Sequence, residues 1–256
     1  FLFPGLDGLS SGETDSIVNY FGIEKEFLTD DLPQETNVLG SALSQLHNSR
    51  VIDLALKRLG IVPDLNAGHS MGEWLAGMSA GLVTTASVKT FVESLDPKFF
   101  EISDAQFVAV GCSYERISGL LSKIPNLYLA NDNCPQQVIL CGTYMAIQEL
   151  TLELKNQQIF HQILPFQSGF HTPFIKDKVP QLLLGINKIE FLENEVALWS
   201  ATTLSPYPTN VEEIRALTVE HLMQPVRFRQ LIEKLHKEEH VKIFLQIGSG
   251  GVIGFV

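Results

Sequence analysis

The residues best suited to carry a reaction are Gly68-His69-Ser70-Met71-Gly72, a G-x-S-x-G run. A serine hydroxyl is a poor nucleophile until a base takes its proton, and the carbonyl it attacks needs donors for the oxyanion that forms. A sharp strand-to-helix turn meets the second need. It leaves no room for Cβ atoms beside the serine, which accounts for the glycines, and it sets Ser70 at a helix N-terminus with the Met71 N–H facing the developing charge. Three fixed positions in five also fit an ordinary turn. The flanks narrow the choice: the turn Pro63-Asp64 and a short buried strand, 65–67, come before, and a small-residue helix over 73–82 follows.

Seven histidines are available as the base. His47 and His161 lie inside predicted elements, and His236 and His240 in a charged helix end, where a solvated or hydrogen-bonded imidazole is the ordinary outcome. His69 adjoins Ser70, but neighbours on a tight turn point apart. His221 falls in a helix or at its end. His171 follows Gln167-Ser168-Gly169-Phe170 and precedes Thr172-Pro173. Its place in a loop after a predicted strand is where catalytic side chains gather. A carboxylate completing a triad would be Asp96, Asp104 or Asp132, none of which stands in a recognisable motif. The turn Phe3-Pro4-Gly5-Leu6-Asp7-Gly8 can supply a second oxyanion N–H, although as a pattern it reads first as a structural turn. Gly248-Ser249-Gly250-Gly251 lacks G-x-G-x-x-G spacing, so it is not a dinucleotide site, and no P-loop, EF-hand or HExxH pattern is present.

These side chains need a scaffold. Phe1-Leu2-Phe3 reads as a short strand, and 37–60 as a helix from the spacing of Leu39, Leu43, Leu46, Val51, Leu54 and Leu59. Between 106 and 167 the pattern becomes β-α-β-β-α-β: strands at 107–110, 127–130, 138–141 and 159–165, helices at 114–124 and 144–155, and the turn-rich Asn131-Asp132-Asn133-Cys134-Pro135 between the middle strands. That order is ferredoxin-like. Helix and strand then alternate again: 174–184, 196–199, 211–223, 228–236 and 242–245. The expected fold is α/β, with a large subdomain over 1–105 and 174–256 built on a mainly parallel sheet and a ferredoxin-like subdomain, 106–173, inserted into it.

The chain has 256 residues, 45% of them hydrophobic and 18% charged, enough for a substantial core. Its net charge of −11 argues against nucleic acid and against an anionic membrane, both of which select basic surfaces. Cys112, Cys134 and Cys141 are odd in number and without CxxC spacing. They argue against a disulfide framework or zinc site and fit a reducing cytoplasm. No apolar run reaches membrane-spanning length and no signal peptide is evident. The chain opens on Phe1 without an initiating Met and closes on Gly254-Phe255-Val256, so it reads as a domain excised from a longer polypeptide or as a chain with trimmed termini.

Six segments in order resemble the malonyl-CoA:acyl carrier protein transacylase family, which includes acyltransferase domains of polyketide and fatty-acid synthases. Phe3-Pro4-Gly5 matches its opening F-P-G, and Gly68 to Glu73 its G-H-S-x-G-E. Asn131 to Pro135 with Gly142 resembles its N-x-N-x-P…G segment, and Phe170-His171-Thr172-Pro173 its histidine segment. Pro225-Val226-Arg227-Phe228 matches P-V-R-F, and Ile247-Gly248-Ser249-Gly250 resembles its closing G-P-G. The resemblance implies an α/β-hydrolase-like large subdomain and a Ser70–His171 dyad. His171 would be oriented by a backbone carbonyl at His221, and the N–H groups of Leu6 and Met71 would form the oxyanion hole. Leu6 stands where the family usually has Gln, a change a backbone donor survives. His69, Glu93, Ser94 and Phe170 would border the acyl pocket. No bound cofactor or metal is implied; acyl-CoA and the phosphopantetheine of an acyl carrier protein are the substrates. The partners implied are that carrier and neighbouring domains of a multienzyme, with no nucleic acid and no membrane.

One departure bears on the substrate. Malonyl-selective members carry an arginine in the helix after the elbow, pairing with the free carboxylate. Here Glu93 or Ser94 stands near that position, and no arginine occurs between Arg58 and Arg116. Lys89 lacks the guanidinium fork. Phe170 before His171 points the other way, towards malonyl. An unpaired buried carboxylate costs several kcal/mol, roughly, so a neutral acyl group is expected. A proofreading thioester hydrolase of the same fold and a non-catalytic docking domain are the alternatives. A basic spot of Lys176, Lys178 and Arg227 is the expected docking point for the carrier.

Overall fold

The computed structural model describes residues 1–6, 14–23, 38–95, 99, 101–165 and 168–256, with only the backbone of Val38, Leu39 and Glu93. Asp7, Gly8, Asp96 and Gln167 lie outside the described residues. The chain begins with strand β1 (Leu2–Phe3), then helices α1 (Asp15–Phe21) and α2 (Val38–Arg58), strand β2 (Leu65–Gly68) and helices α3 (Gly72–Ser79) and α4 (Thr85–Glu93). A second group follows: β3 (Ala105–Val110), α5 (Tyr114–Leu121), β4 (Leu127–Cys134), β5 (Gln137–Thr143), α6 (Tyr144–Asn156) and β6 (His161–Ile163). The chain then returns through a 3₁₀ turn (Pro173–Lys178), α7 (Val179–Ile186), β7 (Ala197–Ser200), β8 (Ser205–Pro206), α8 (Val211–Met223) and α9 (Phe228–Lys237).

The first sheet has the order β1-β2-β7-β8, parallel except at the short edge strand β8. Successive residues of its strands face opposite layers. Phe3 and Leu198 pack with Leu43, Leu46 and Leu75 of α2 and α3, whereas Leu2 and Trp199 pack with Phe228, Leu231 and Leu235 of α9. Helices on both faces explain why Asn66, Ala67 and Gly68 are all buried. A strand expected at 242–245 is displaced. Leu2 N–H donates to Leu245 O, Ile247 N–H donates to Leu2 O, and Ile243 is 84% exposed. Two-residue β1 offers Leu2 as the partner, so the pairing falls at 245–247.

The second sheet is antiparallel throughout, in the order β4-β5-β3-β6. Val108, Val110, Val138 and Leu140 face Ile117 of α5 and Ile147, Leu150 and Leu154 of α6. Ser113 and Thr143 cap these helices through their side-chain oxygens. Its first strand begins at Ala105, one residue before the expected boundary. The expected turn at Asn131–Pro135 is corrected here. Residues 131–134 continue β4, with register shifts on either side of Asn131 and Asp132. Their polar side chains find tertiary partners that a strand read in isolation lacks. Buried Asp132 takes a forked pair from Arg229 and a bond from Gln230, and its N–H donates to Val226 O. The same contacts fasten the second sheet to α9.

Candidate active site

The two flanking glycines show why the G-x-S-x-G run turns where it does. A Cβ on Gly68 would stand 2.1 Å from the Gly72 carbonyl carbon, and one on Gly72 would stand 2.0 Å from Phe3 O. β2 therefore runs into α3 with backbone against backbone, and Ser70 sits at the bend with φ +54°, a left-handed conformation unfavourable for a residue with a side chain. His171, 101 positions away, also has a positive φ, +62°.

These two side chains meet. Ser70 Oγ lies 2.6 Å from His171 Nε2, and His171 Nδ1 lies 2.8 Å from His221 O. A carbonyl only accepts, so Nδ1 carries the hydrogen and Nε2 is left to accept from the serine hydroxyl. The His171 N–H donates to Leu222 O at 2.7 Å. Burial, and then the neighbouring His221, hold the His171 pKa well below the usual 6.5, against the opposing effect of its hydrogen bond to His221. The imidazole is therefore neutral at pH 7 and able to take a proton.

Ser70 and His171 open onto a cavity of about 110 Å³. Leu6, Ala42, Leu46, Met71, Trp74, Val88, Phe91, Val92, Leu95, Phe170, His221 and Leu222 line it with them, and the Trp74 and Phe91 rings stack at 5.3 Å. No lysine or arginine is among the described lining residues; Lys89 is half-buried elsewhere on α4. Among the expected pocket residues whose side chains are described, only Phe170 lines this space. His69 does not: its Nε2 lies 2.7 Å from Asn133 Oδ1 and its ring packs against Phe228. Ser94 is exposed, its hydroxyl donating to Phe91 O. The side chain of Glu93 lies outside the described residues. Leu6 and Met71 border the cavity beside Ser70, and among the described residues neither N–H donates to a backbone carbonyl. No group of three metal-ligating side chains occurs among the described residues, and no described helix is long and apolar enough to cross a membrane.

A model of the acyl transferase domain matches residues 34–249. The chain belongs to this family. It is 29% identical over 207 residues to the malonyl CoA-acyl carrier protein transacylase of Bacillus subtilis, covering 77% of this chain and 64% of that protein. It is 28% identical over 203 residues to a polyunsaturated fatty acid synthase polypeptide of Thraustochytrium, covering 77% of this chain but 7% of that one. The domain thus spans less than two thirds of either relative. Its fold matches FabD from Acinetobacter baumannii with a TM-score of 0.88 at 19% identity, over 99% of this chain and 88% of that one. It also matches a malonyl-transacylase solved with its type II polyketide acyl-carrier protein, with a TM-score of 0.89 at 22% identity, over 99% and 90%.

Sequence reasoning missed most of the cavity wall. Leu46 reads only as a core position of the 37–60 helix, and nothing in its spacing says which core it enters; Phe91 carries no signal of its own. It also missed a buried polar cluster behind α3. Glu73, 2% exposed, accepts from Ala201 N–H at 2.7 Å and Tyr207 Oη at 2.5 Å. Burial, and then Glu73, raise the Tyr207 phenol well above its usual 10, so it remains a donor. Glu73 stood in the recognised motif, and a carboxylate inside an otherwise small, apolar helix was the available signal.

Proposed function

We propose that this chain transfers a neutral acyl group from a CoA thioester, through acyl-Ser70, to the phosphopantetheine thiol of an acyl carrier protein. The observation that carries this reading is a serine–imidazole contact of 2.6 Å opening onto a largely apolar cavity with no lysine or arginine among its described lining residues. Ser70 Oγ bonds to the thioester carbonyl carbon as its proton passes to His171 Nε2. The C–S bond then breaks, and the leaving thiolate takes that proton. A carrier thiol reverses the sequence. The N–H groups of Leu6 and Met71 are the proposed oxyanion donors, and the His221 carbonyl keeps the His171 hydrogen on Nδ1.

The cavity supports a neutral acyl group because a malonyl carboxylate enclosed there would give up its hydration for hydrocarbon. Carrier protein and neighbouring synthase domains are the proposed partners, as the relatives' names suggest. Lys176 is exposed on the turn just after His171, and Lys178 lies 5.2 Å over the Phe99 ring. Arg227 is half-buried and bonded to Thr202 O, so the proposed docking spot rests mainly on the lysines. In the same reading, 106–173 is a ferredoxin-like subdomain inserted in an α/β-hydrolase-like unit.

The test is the intact mass of the protein after brief mixing with acetyl-, medium-chain acyl- and malonyl-CoA, beside Ser70→Ala. An adduct from the neutral thioesters alone is expected. A malonyl adduct of equal yield overturns the neutral preference, and Ser70-dependent CoA release without transfer to a carrier overturns transfer in favour of hydrolysis.

A further inference from the structure

We propose that the His221 side chain is a positioning group, its Nε2–H holding the Ser70 carbonyl while its own carbonyl holds the His171 ring, so that one residue sets both members of the reacting pair. The inference rests on the acyl-transfer reading and adds to it a role for the imidazole, where the sequence pointed only to the backbone.

The hydrogen bonds define the arrangement. His221 Nε2 lies 3.0 Å from Ser70 O, a group that only accepts, so Nε2 carries the hydrogen. Nδ1 then faces Thr202 Oγ1 at 3.0 Å, with Glu73 Oε1 at 3.5 Å. The ring is buried and packs edge-on against His171, with centroids 5.1 Å apart. Ser70 O also accepts from Glu73 N–H at 2.9 Å, a bond within the elbow itself. The His221 bond differs in coming from another segment. Ser70 and His171 both occupy left-handed backbone conformations, which local preference does not hold for residues with side chains. They sit on separate loops and must stay in register for the 2.6 Å contact to persist. The end of α8 is where the two loops meet: His221 bonds Ser70 through its ring and His171 through its carbonyl, and Leu222 O takes the His171 N–H.

Labelling of Ser70 by a fluorophosphonate reads this without reference to an acyl substrate. Ser70 Oγ bonds to phosphorus, the P–F bond breaks, fluoride leaves, and the hydroxyl proton passes to His171 Nε2. His221→Leu keeps the main-chain carbonyl and removes the ring donor. Its labelling is expected to slow by about tenfold or more, a loss typical of slight misplacement of reacting groups. His221→Gln offers an N–H in the same region and should recover the rate to within about threefold of the parent, which a space-filling role would not produce. With acyl-CoA, the loss should fall on the acylation rate and leave KM within about twofold. Should His221→Leu fail to fold, Thr202→Val removes the Nδ1 partner and should slow labelling about threefold. An unchanged rate in the leucine variant, or in Thr202→Val where that variant must serve, overturns the proposal, as does a glutamine variant as slow as leucine. A parent that labels at Ser70 but forms no acyl adduct removes the acyl-transfer reading and leaves this proposal to the labelling rates. A parent that does not label overturns both.

Discussion

Glu73 and Trp74 are successive residues of α3, and they enter opposite environments. Trp74 stacks on Phe91 and lines a chamber whose wall away from Ser70, His171 and His221 is hydrocarbon. Glu73 is turned about 100° away by the helix, into a cluster of Ser200, Ala201, Tyr207 and His221. The chamber is held by packing, which degrades gradually as side chains change shape. The cluster is held by hydrogen bonds in a water-poor interior, where losing one partner leaves the others unpaired. A single residue step along the helix thus separates a region that can vary with the substrate from one that cannot vary without loosening the hydrogen bonds around the elbow. Ser70 lies where the two meet.

The largest expected effect is at that junction. Ser70→Ala should abolish acyl adducts and fluorophosphonate labelling, at least about 10³-fold, with thermal melting unchanged. Residual labelling at another residue would show that the cavity and the reacting group had been wrongly paired. On the polar side, Glu73→Ala strands Tyr207 Oη and the Ala201 N–H. It should lower the free energy of unfolding by about 2–4 kcal/mol in a denaturant titration, and slow acylation as well. On the apolar side, Trp74→Ala should cost about 2 kcal/mol. Trp74 also borders a neighbouring space of about 20 Å³, so its removal should join the two and shift preference towards longer acyl chains in competition assays. If Trp74→Ala slows every chain length equally, or Glu73→Ala changes chain-length preference, the division between the two sides fails.

The smallest effect concerns pH. His171 binds a proton only well below 6.5, so the acylation rate should stay level as pH falls through 6.5 and decline only below it. An acid limb centred at or above 6.5 in the kcat/KM profile would contradict the buried, neutral base. The same depression makes His171 favour the unfolded chain as pH falls below 6.5, because only the unfolded form takes up the proton there. Its contribution to stability is therefore present above 6.5 and is lost between that value and its own lower pKa.

What could be read from the sequence was local. The helix over 211–223 matches α8, and the elbow follows from glycines whose absent Cβ atoms would have struck backbone. Elements without local signals were misread. Asn131, Asp132 and Asn133 are turn formers by type, yet they extend β4 because Val226, Arg229, Gln137 and His69 satisfy them. α1 and β8 were not anticipated, and 174–184 divides into a 3₁₀ turn and α7 around Pro180. The resemblance places His69 and Ser94 at the pocket by position in a motif, but side-chain direction sends one to Asn133 and the other to solvent.

The sequence by itself determined the family, put Ser70 and His171 forward as the candidate pair and fixed the absence of an arginine from 59 to 115, because each is a matter of residue type and order. Only the tertiary structure decided which helices wall the cavity, that Glu73 lies buried beneath the elbow, and that His221 touches both Ser70 and His171. Those relations join residues as much as 151 positions apart. They depend on how strands and helices pack, and no spacing along a single chain encodes the direction in which a side chain finally points.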